Sequence, residues 1–253
     1  MQAVKWVVGL LAVLGLAGQA VEAIAWRAPG PVVIDGALNE WITSDPIVVK
    51  DIKQAIIAAY LWGGSLDCSV TVYVMWDEEN LYIAAEIFDD VPFTARAGFR
   101  PDEADSLGIY LSTNPQANPA RKNYEATDFR ILLMIDGYDF NNAIDRDMIA
   151  DPKGIETAGM YGDEQVLPGY EAAAVPTKRG CTFEAKIPFK ALANEQIPVL
   201  VPQDGLKVGF DVEINDIDMP CPGIGAKTLA WTGTEAIRQN PSEWGTLVFK
   251  VKK

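Results

Sequence analysis

Val70-Thr71-Val72-Tyr73-Val74-Met75-Trp76, then Asp77-Glu78-Glu79-Asn80, then Leu81-Tyr82-Ile83-Ala84-Ala85-Glu86-Ile87-Phe88, decides the fold class of this 253-residue chain. In the first run Val70, Val72, Val74 and Trp76 fall on one face and Thr71, Tyr73 and Met75 on the other, which is the period of a strand rich in β-branched and aromatic residues. The acidic tetrapeptide supplies turn chemistry. The second run returns with Leu81, Ile83, Ala85 and Ile87 alternating against Tyr82, Ala84, Glu86 and Phe88, so the pair reads as a hairpin. Further strand runs follow at 107–111, 129–135, 182–187, 208–214 and 246–251, each bounded by Gly, Pro, Asn or Asp. The best helix candidates, 52–61 and a turn at 189–193, are too few for an α/β layered fold. The pattern predicts an all-β chain, an antiparallel β-sandwich of jelly-roll-like kind, folded as a single domain with long loops at 114–119, 147–168 and 219–225.

Charge and composition narrow the function. With 21 Lys and Arg against 35 Asp and Glu, the formal net charge is −14. Nucleic acid and anionic membranes both demand clustered cations, so neither is expected as a partner. The chain has no histidine, which removes Ser-His-Asp and Cys-His catalysis, imidazole zinc ligands and His-ligated haem. Carboxylate chemistry stays open. A content of 49% hydrophobic and 22% charged residues is that of a globular protein with a real core.

The first residues read as an address. Lys5, an apolar run from Trp6 to Ala17, and the small-x-small triplets Val21-Glu22-Ala23 and Ala23-Ile24-Ala25 predict a signal peptide over 1–25 and a mature domain over 26–253. The run is shorter than the roughly 18 residues of a spanning helix, so no stable membrane insertion is expected after cleavage. Removal takes away one charge of each sign, Lys5 and Glu22. A secreted or periplasmic destination makes Cys68, Cys181 and Cys221 disulfide candidates, with one left over and the pairing open.

A set of short motifs then resembles the family 9 carbohydrate-binding modules. Ile34-Asp35-Gly36-Ala37-Leu38-Asn39-Glu40-Trp41 is similar to that family's opening motif, and Trp76-Asp77-Glu78-Glu79-Asn80-Leu81-Tyr82 to its first hairpin. Asp89-Asp90, Asp105-Ser106-Leu107, Phe183-Glu184-Ala185-Lys186-Ile187-Pro188-Phe189, Gly209-Phe210-Asp211 with Asn215-Asp216, Ala230-Trp231-Thr232-Gly233 and Trp244-Gly245-Thr246-Leu247 follow in the family's order. The resemblance implies a secreted β-sandwich that binds sugars without catalysing a reaction, is often joined to a glycoside hydrolase, and is stabilised by calcium. Oxygen-rich acidic loops suit that hard cation, and Asp77, Asp89, Asp90, Asp102 and Asp105 stand at loop ends as candidate ligands.

Sugars stack their C–H faces on aromatic rings and bond through their hydroxyls to planar polar groups. Trp41, Trp76 and Trp244 lie inside structural segments and are expected in the core. Trp231 matches the segment where the family places a stacking tryptophan, and Trp62, before Gly63-Gly64, is a candidate second wall. On 129–135 the odd positions are apolar and Arg130 points the other way. On 208–215 the even positions are apolar, so Asp211, Glu213 and Asn215 share the opposite face. Arg130, Glu213 and Asn215 therefore join Trp231 and Trp62 as candidate sugar contacts, unless this face is simply a solvated exterior. Two departures stand out. Leu132 occupies the place of an Asn in the family's Arg-x-Asn pair, and Gly108 that of an acidic residue.

Other classes of function remain. Asp211 and Glu213 stand roughly 6.8 Å apart along one strand, within the range that glycoside hydrolysis needs, but no independent acid or nucleophile motif accompanies them. The sandwich type also resembles haem-binding electron-transfer subunits whose iron is held by Met and Lys. Lys186, Met75, Met134, Met148, Met160 and Met219 would be the available ligands. A scaffold role is the third reading.

Overall fold

The computed structural model describes residues 21–92, 105–135, 167–218 and 226–252. The described residues form twelve strands: β1 (Glu22–Arg27), β2 (Ile47–Val49), β3 (Ala55–Ile57), β4 (Cys68–Trp76), β5 (Asn80–Asp89), β6 (Ser106–Ser112), β7 (Asp128–Met134), β8 (Glu171–Thr177), β9 (Gly180–Pro188), β10 (Lys207–Ile217), β11 (Ala226–Ala230) and β12 (Gly245–Lys250). The hairpin read from 70–88 is β4 and β5, in register from Cys68 opposite Asp89 to Trp76 opposite Leu81. Asp77 closes its turn by accepting the backbone N–H groups of Glu79 at 2.8 Å and Asn80 at 2.7 Å, as an Asx turn requires.

The strands hydrogen-bond in the order β3-β11-β10-β12-β1-β4-β5-β9-β8, with β2 beside β4, and β6 beside β10 carrying β7 on its far edge. Long β10 serves two neighbours on one edge, β12 along 207–210 and β11 along 213–217, while β6 lines the other edge. The two halves of this continuous set face one another. Between them lies the main core, which takes Val70, Val72, Val74, Ile83, Ala85 and Phe183 from one half and Leu107, Ile109, Ile131, Leu133, Phe210 and Val212 from the other. The alternation read from sequence is the alternation observed. Burying each such aliphatic side chain is worth about 1.5–3 kcal/mol, so this layer dominates the stability.

Three expectations need correction. The sheets are not purely antiparallel, because β1 runs parallel to both β12 and β4. Residues 52–61 form no α-helix; a 3-10 turn at Ile52–Gln54, β3 and a second turn at Ala59–Leu61 take their place, because the apolar residues there lie against β11. The outer faces, moreover, are covered over much of their area, although Glu86 and Phe88 of β5 stay exposed. On β4 and β5 the outward Tyr73, Met75, Tyr82 and Ala84 form a second core with Trp41, under a cover that includes Trp26, Ile34 and Leu38. On β6, β10 and β11 the outward Tyr110 and Ala230 pack with Ile237 and Trp244 from the segment 235–244.

Glu184 explains how the first cover is held. It is fully buried and accepts the backbone N–H of Asp35 at 2.9 Å, that of Gly36 at 2.8 Å and the indole N–H of Trp41 at 2.6 Å. Burial pushes its carboxyl up, and these three bonds pull against that. Gly36 has φ +82°, and a side chain there would meet Val175 at 2.5 Å, so only glycine makes the bend. Cys68 and Cys181 sit on β4 and β9 with β5 between them, farther apart than a disulfide spans. Cys221, Asp102, Met148, Met160, Met219 and most of the predicted loops at 147–168 and 219–225 lie outside the described residues.

Candidate functional site

The polar row expected on one sheet face is real, and it is built by register. Across β7, β6 and β10 the first rung is Arg130, Tyr110 and Asp211; the next is Leu132, Gly108 and Glu213; beyond it Ser106 faces Asn215, with Thr228 of β11 on the other side. Glu213, fully buried, is the hub. Its Oε1 accepts Arg130 Nη2 at 2.6 Å and Nε at 3.2 Å. Its Oε2 accepts Tyr110 OH and Arg238 Nε, both at 2.9 Å. Burial pushes the Glu213 carboxyl up, but the charges of Arg130 and Arg238 outweigh it and hold the group below the usual range.

The row continues at Asn215. Its Nδ2 donates to Ser106 Oγ at 3.0 Å, and its Oδ1 accepts Thr228 Oγ1 at 2.8 Å and Arg238 Nη2 at 3.0 Å. Arg238 belongs to the 3-10 turn Glu235–Arg238, capped by Thr234, and its side chain, 24% exposed, is the most exposed of the network. Gly108 is part of the same design. A Cβ there would lie 2.5 Å from Glu213 Cγ, so the missing side chain is what makes room for the buried carboxylate.

The candidate aromatics stand elsewhere. Trp231 follows β11 on the opposite side, half-buried against the main core, with its ring over Gly245, where an added Cβ would meet Cζ3 at 2.4 Å. Asp211 braces this turn by accepting the N–H of Val212 at 2.8 Å and of Thr232 at 3.4 Å. Burial pushes its carboxyl up to about 7, against the bonds from Thr232 and Val212. Trp62 lies toward the other end of β11, packed on the main core with its indole N–H donating to the Cys68 carbonyl at 2.8 Å. The structure thus joins Arg130, Glu213 and Asn215, and sets Trp231 and Trp62 apart from them and from each other. Trp41, Trp76 and Trp244 are 7%, 3% and 5% exposed, in the core as expected. A hollow of about 320 Å³ beside Gly245 is lined by Asn114, Arg121, Gly209, Ser242 and Trp244.

The acidic candidates divide in the same way. Asp77 stays at its turn, also accepting Tyr82 OH at 2.6 Å. Asp89, Asp90 and Asp105 are at the other end of the hairpin, where the carboxylates of Asp67, Asp90 and Asp218 lie within 4.8 Å of one another. Asp89 and Asp105 stand near enough to Cys68, with Asp216, to add to the effect of burial in raising its thiol pKa. Buried Lys227 sits among these groups, its Nζ 2.8 Å from Asp67, 3.2 Å from Asp216 and in contact with Asp218. Burial and the neighbouring Asp67 and Asp218 push the Asp90 carboxyl up, with Lys227 opposing them. The oxygen-only donors fit a hard cation, with an ammonium already supplying part of the countercharge.

Lys186 pairs with Glu171, and Met75 is fully buried with its sulfur 3.4 Å from the N–H of Ile42. Asp211 and Glu213 are both buried. Sequence reasoning missed Arg238 and Tyr110, as well as Asp67 and Lys227. Lys227 carried a signal, since a single cation in the run Ala226–Ala230 demands acidic partners once that run is a strand. Arg238 carried none, because a 3-10 turn has no hydrophobic period.

The profile of the family described as carbohydrate family 9 binding domain-like matches residues 34–252. The chain is 26% identical over 230 residues to endo-1,4-beta-xylanase A of Thermotoga neapolitana, covering 88% of this chain and 17% of that protein. It is 23% identical over 197 residues to exoglucanase XynX of Acetivibrio thermocellus, covering 77% and 14%. It therefore spans about a sixth of the length of these relatives. Among solved structures, a family 9 module from Caldicellulosiruptor kristjanssonii in complex with cellotriose superposes with TM-score 0.62 at 20% identity, over 92% of this chain and 95% of that one. A putative carbohydrate-binding protein from Bacteroides uniformis gives 0.55 at 12% identity, over 91% and 100%. These likenesses fix the shared fold.

Proposed function

The chain belongs to the carbohydrate family 9 binding domain-like family, and on that premise we propose that it is an exported, non-catalytic carbohydrate-binding module acting on polysaccharide alongside a glycoside hydrolase. The observation that carries this reading, beside the family itself, is the preorganised row of Arg130, Glu213, Asn215 and Arg238. Planar polar groups fixed by one another in a low-dielectric setting hold their geometry at little entropic cost when a hydroxylated ligand arrives. Arg238 is the member within reach of solvent. Trp231, half-buried on the other side of β11 from this row, would stack on a sugar ring only as a separate contact. Binding chemistry suits these groups better than hydrolysis, because Glu213 is clamped between two guanidiniums and has no proton to give.

Relatives support the partner and the ligand class. Two carry the names of a xylanase and an exoglucanase, and solved family members hold cellotriose and glucose. We take β-glucan or xylan chains as the first ligands to try. Calcium is proposed as a stabiliser at the acidic end of the hairpin, where Asp67, Asp90 and Asp218 would hold it and Asp89 and Asp105 lie nearby. Asp77, engaged in its own turn, is left out of that set.

The test is a glycan-array profile of the purified protein in calcium buffer with a chelated control, followed by calorimetry with cellotriose and xylotriose. Binding to a coherent set of glycans is expected. A folded sample that binds none of them overturns the reading.

A further inference from the structure

We infer that the bond cut on export is Ala20–Val21, so that strand β1 stays with the mature protein. The inference rests on reading the residues ahead of Val21 as an export leader. β1 is an interior strand, hydrogen-bonded on both edges. Glu22, Ala23, Ile24, Ala25 and Trp26 face Thr246 to Lys250 of β12, and Ala25, Trp26 and Arg27 face Val74, Met75 and Trp76 of β4. Removing an interior strand leaves two rows of backbone donors and acceptors without partners, which a buried sheet does not tolerate.

The side chains are equally committed. Ala23 and Ala25 are 4% and 0% exposed in the main core. The Ala25 carbonyl accepts the indole N–H of Trp76 at 3.0 Å, Glu22 pairs with Lys207, and Arg27 pairs with Glu78. The outermost bond of the set is the Thr246 N–H donating to the Val21 carbonyl at 2.9 Å. Cleavage after Ala23 would remove that carbonyl and the first third of the strand. Cleavage after Ala25 would remove four of its six residues.

The sequence offers a third small-x-small triplet, Gly18-Gln19-Ala20, which ends three residues beyond the apolar run Trp6 to Ala17 and meets the same requirement for small residues. Water adds across the amide; Ala20 leaves with the carboxylate and Val21 keeps the amine. The enzyme would be the membrane-bound signal peptidase of the exporting cell, acting before the strand pairs. The two downstream triplets are then strand sequence whose alanines are small because they pack in the core.

The experiment is to express the full chain in an export-competent bacterium and read the exported protein by intact mass and N-terminal sequencing. Val-Glu-Ala-Ile-Ala-Trp is the expected start. A start at Ile24 or Trp26 overturns the inference and leaves export standing, whereas an unprocessed chain retained in the cell removes both. In parallel, chains made to begin at Val21 and at Trp26 are melted side by side. The shorter one is expected to melt roughly 10 °C lower or more, and equal melting temperatures would count against the inference.

Discussion

Glu184 on β9 accepts the indole N–H of Trp41 at 2.6 Å across 143 positions of sequence, and this bond, with those from Asp35 and Gly36, fastens the N-terminal cover to the sheet. Glu184→Ala would leave three buried donors unpaired. We expect a loss of about 3 kcal/mol or more in urea unfolding, since a hydrogen bond to a charged group is worth about 1.5–3 kcal/mol. A loss below about 1 kcal/mol would mean the cover is held by its apolar contacts alone.

Glu213→Ala leaves two guanidiniums facing one another beneath the turn 235–238, and should cost about 3–5 kcal/mol. Gly108→Ala attacks the same carboxylate by steric means, because the new Cβ falls 2.5 Å from its Cγ. Both variants should lower sugar affinity together with melting temperature, and crystallography of the second should find the Arg130 bonds displaced.

Asp211 makes stability depend on pH in a defined sense. Its carboxyl is raised from 3.8 to about 7 by burial, so between those values the folded chain holds a proton that the unfolded chain has lost. Stability from this group is therefore fully present below about pH 4 and is lost as the pH rises through about 7. By linkage the whole change is on the order of 4 kcal/mol at most. Asp211→Asn, which keeps an acceptor for the Val212 and Thr232 N–H groups, should flatten that decline in melts taken from pH 4 to 8.

Trp231→Ala should weaken glycan binding roughly tenfold to a hundredfold, the worth of one well-stacked ring. Gly245→Ala is the sharper companion, since it tilts the ring without removing it. Unchanged calorimetric affinity in both variants would take Trp231 out of the site.

At the acidic end, chelation should lower the melting temperature by several degrees, and calcium should restore it. Lys227→Met strips the resident ammonium from Asp67, Asp216 and Asp218 and is expected to cost about 3–5 kcal/mol, with millimolar calcium recovering part of it. A melt that ignores both chelator and calcium, in either protein, would leave Lys227 as the only cation this cluster uses.

The fold was legible where strands alternate. Alternation puts Val70 to Trp76 and Leu81 to Ile87 on the faces they occupy, because a half-buried strand writes its environment in a period of two. The sequence pattern misses β1, β2, β3 and β8; β2 and β3 are three residues long, β1 is hidden under a leader motif, and β8, with three successive alanines and a proline, shows no alternation. The outward faces mislead for a different reason. Polar residues such as Glu184 and Glu213 look solvent-directed in sequence, and only the covering segments reveal that they are anchors. Of the site, Arg130, Glu213 and Asn215 came together because register follows from alternation, whereas Arg238 and the separation of Trp231 depend on loops that carry no period.

The pairing of β1 with β12 also sets the order of assembly. Glu22 finds its partner at Thr246, nearly the whole chain later, so the centre of the sheet closes only when the final strand has arrived. Contacts of such long sequence separation fold slowly, and a chain emerging N-terminus first would hold the β12-facing edge of β1 unpaired until β12 has followed. An exported chain built this way would depend on passing through the membrane unfolded and on being shielded until its last strand is delivered.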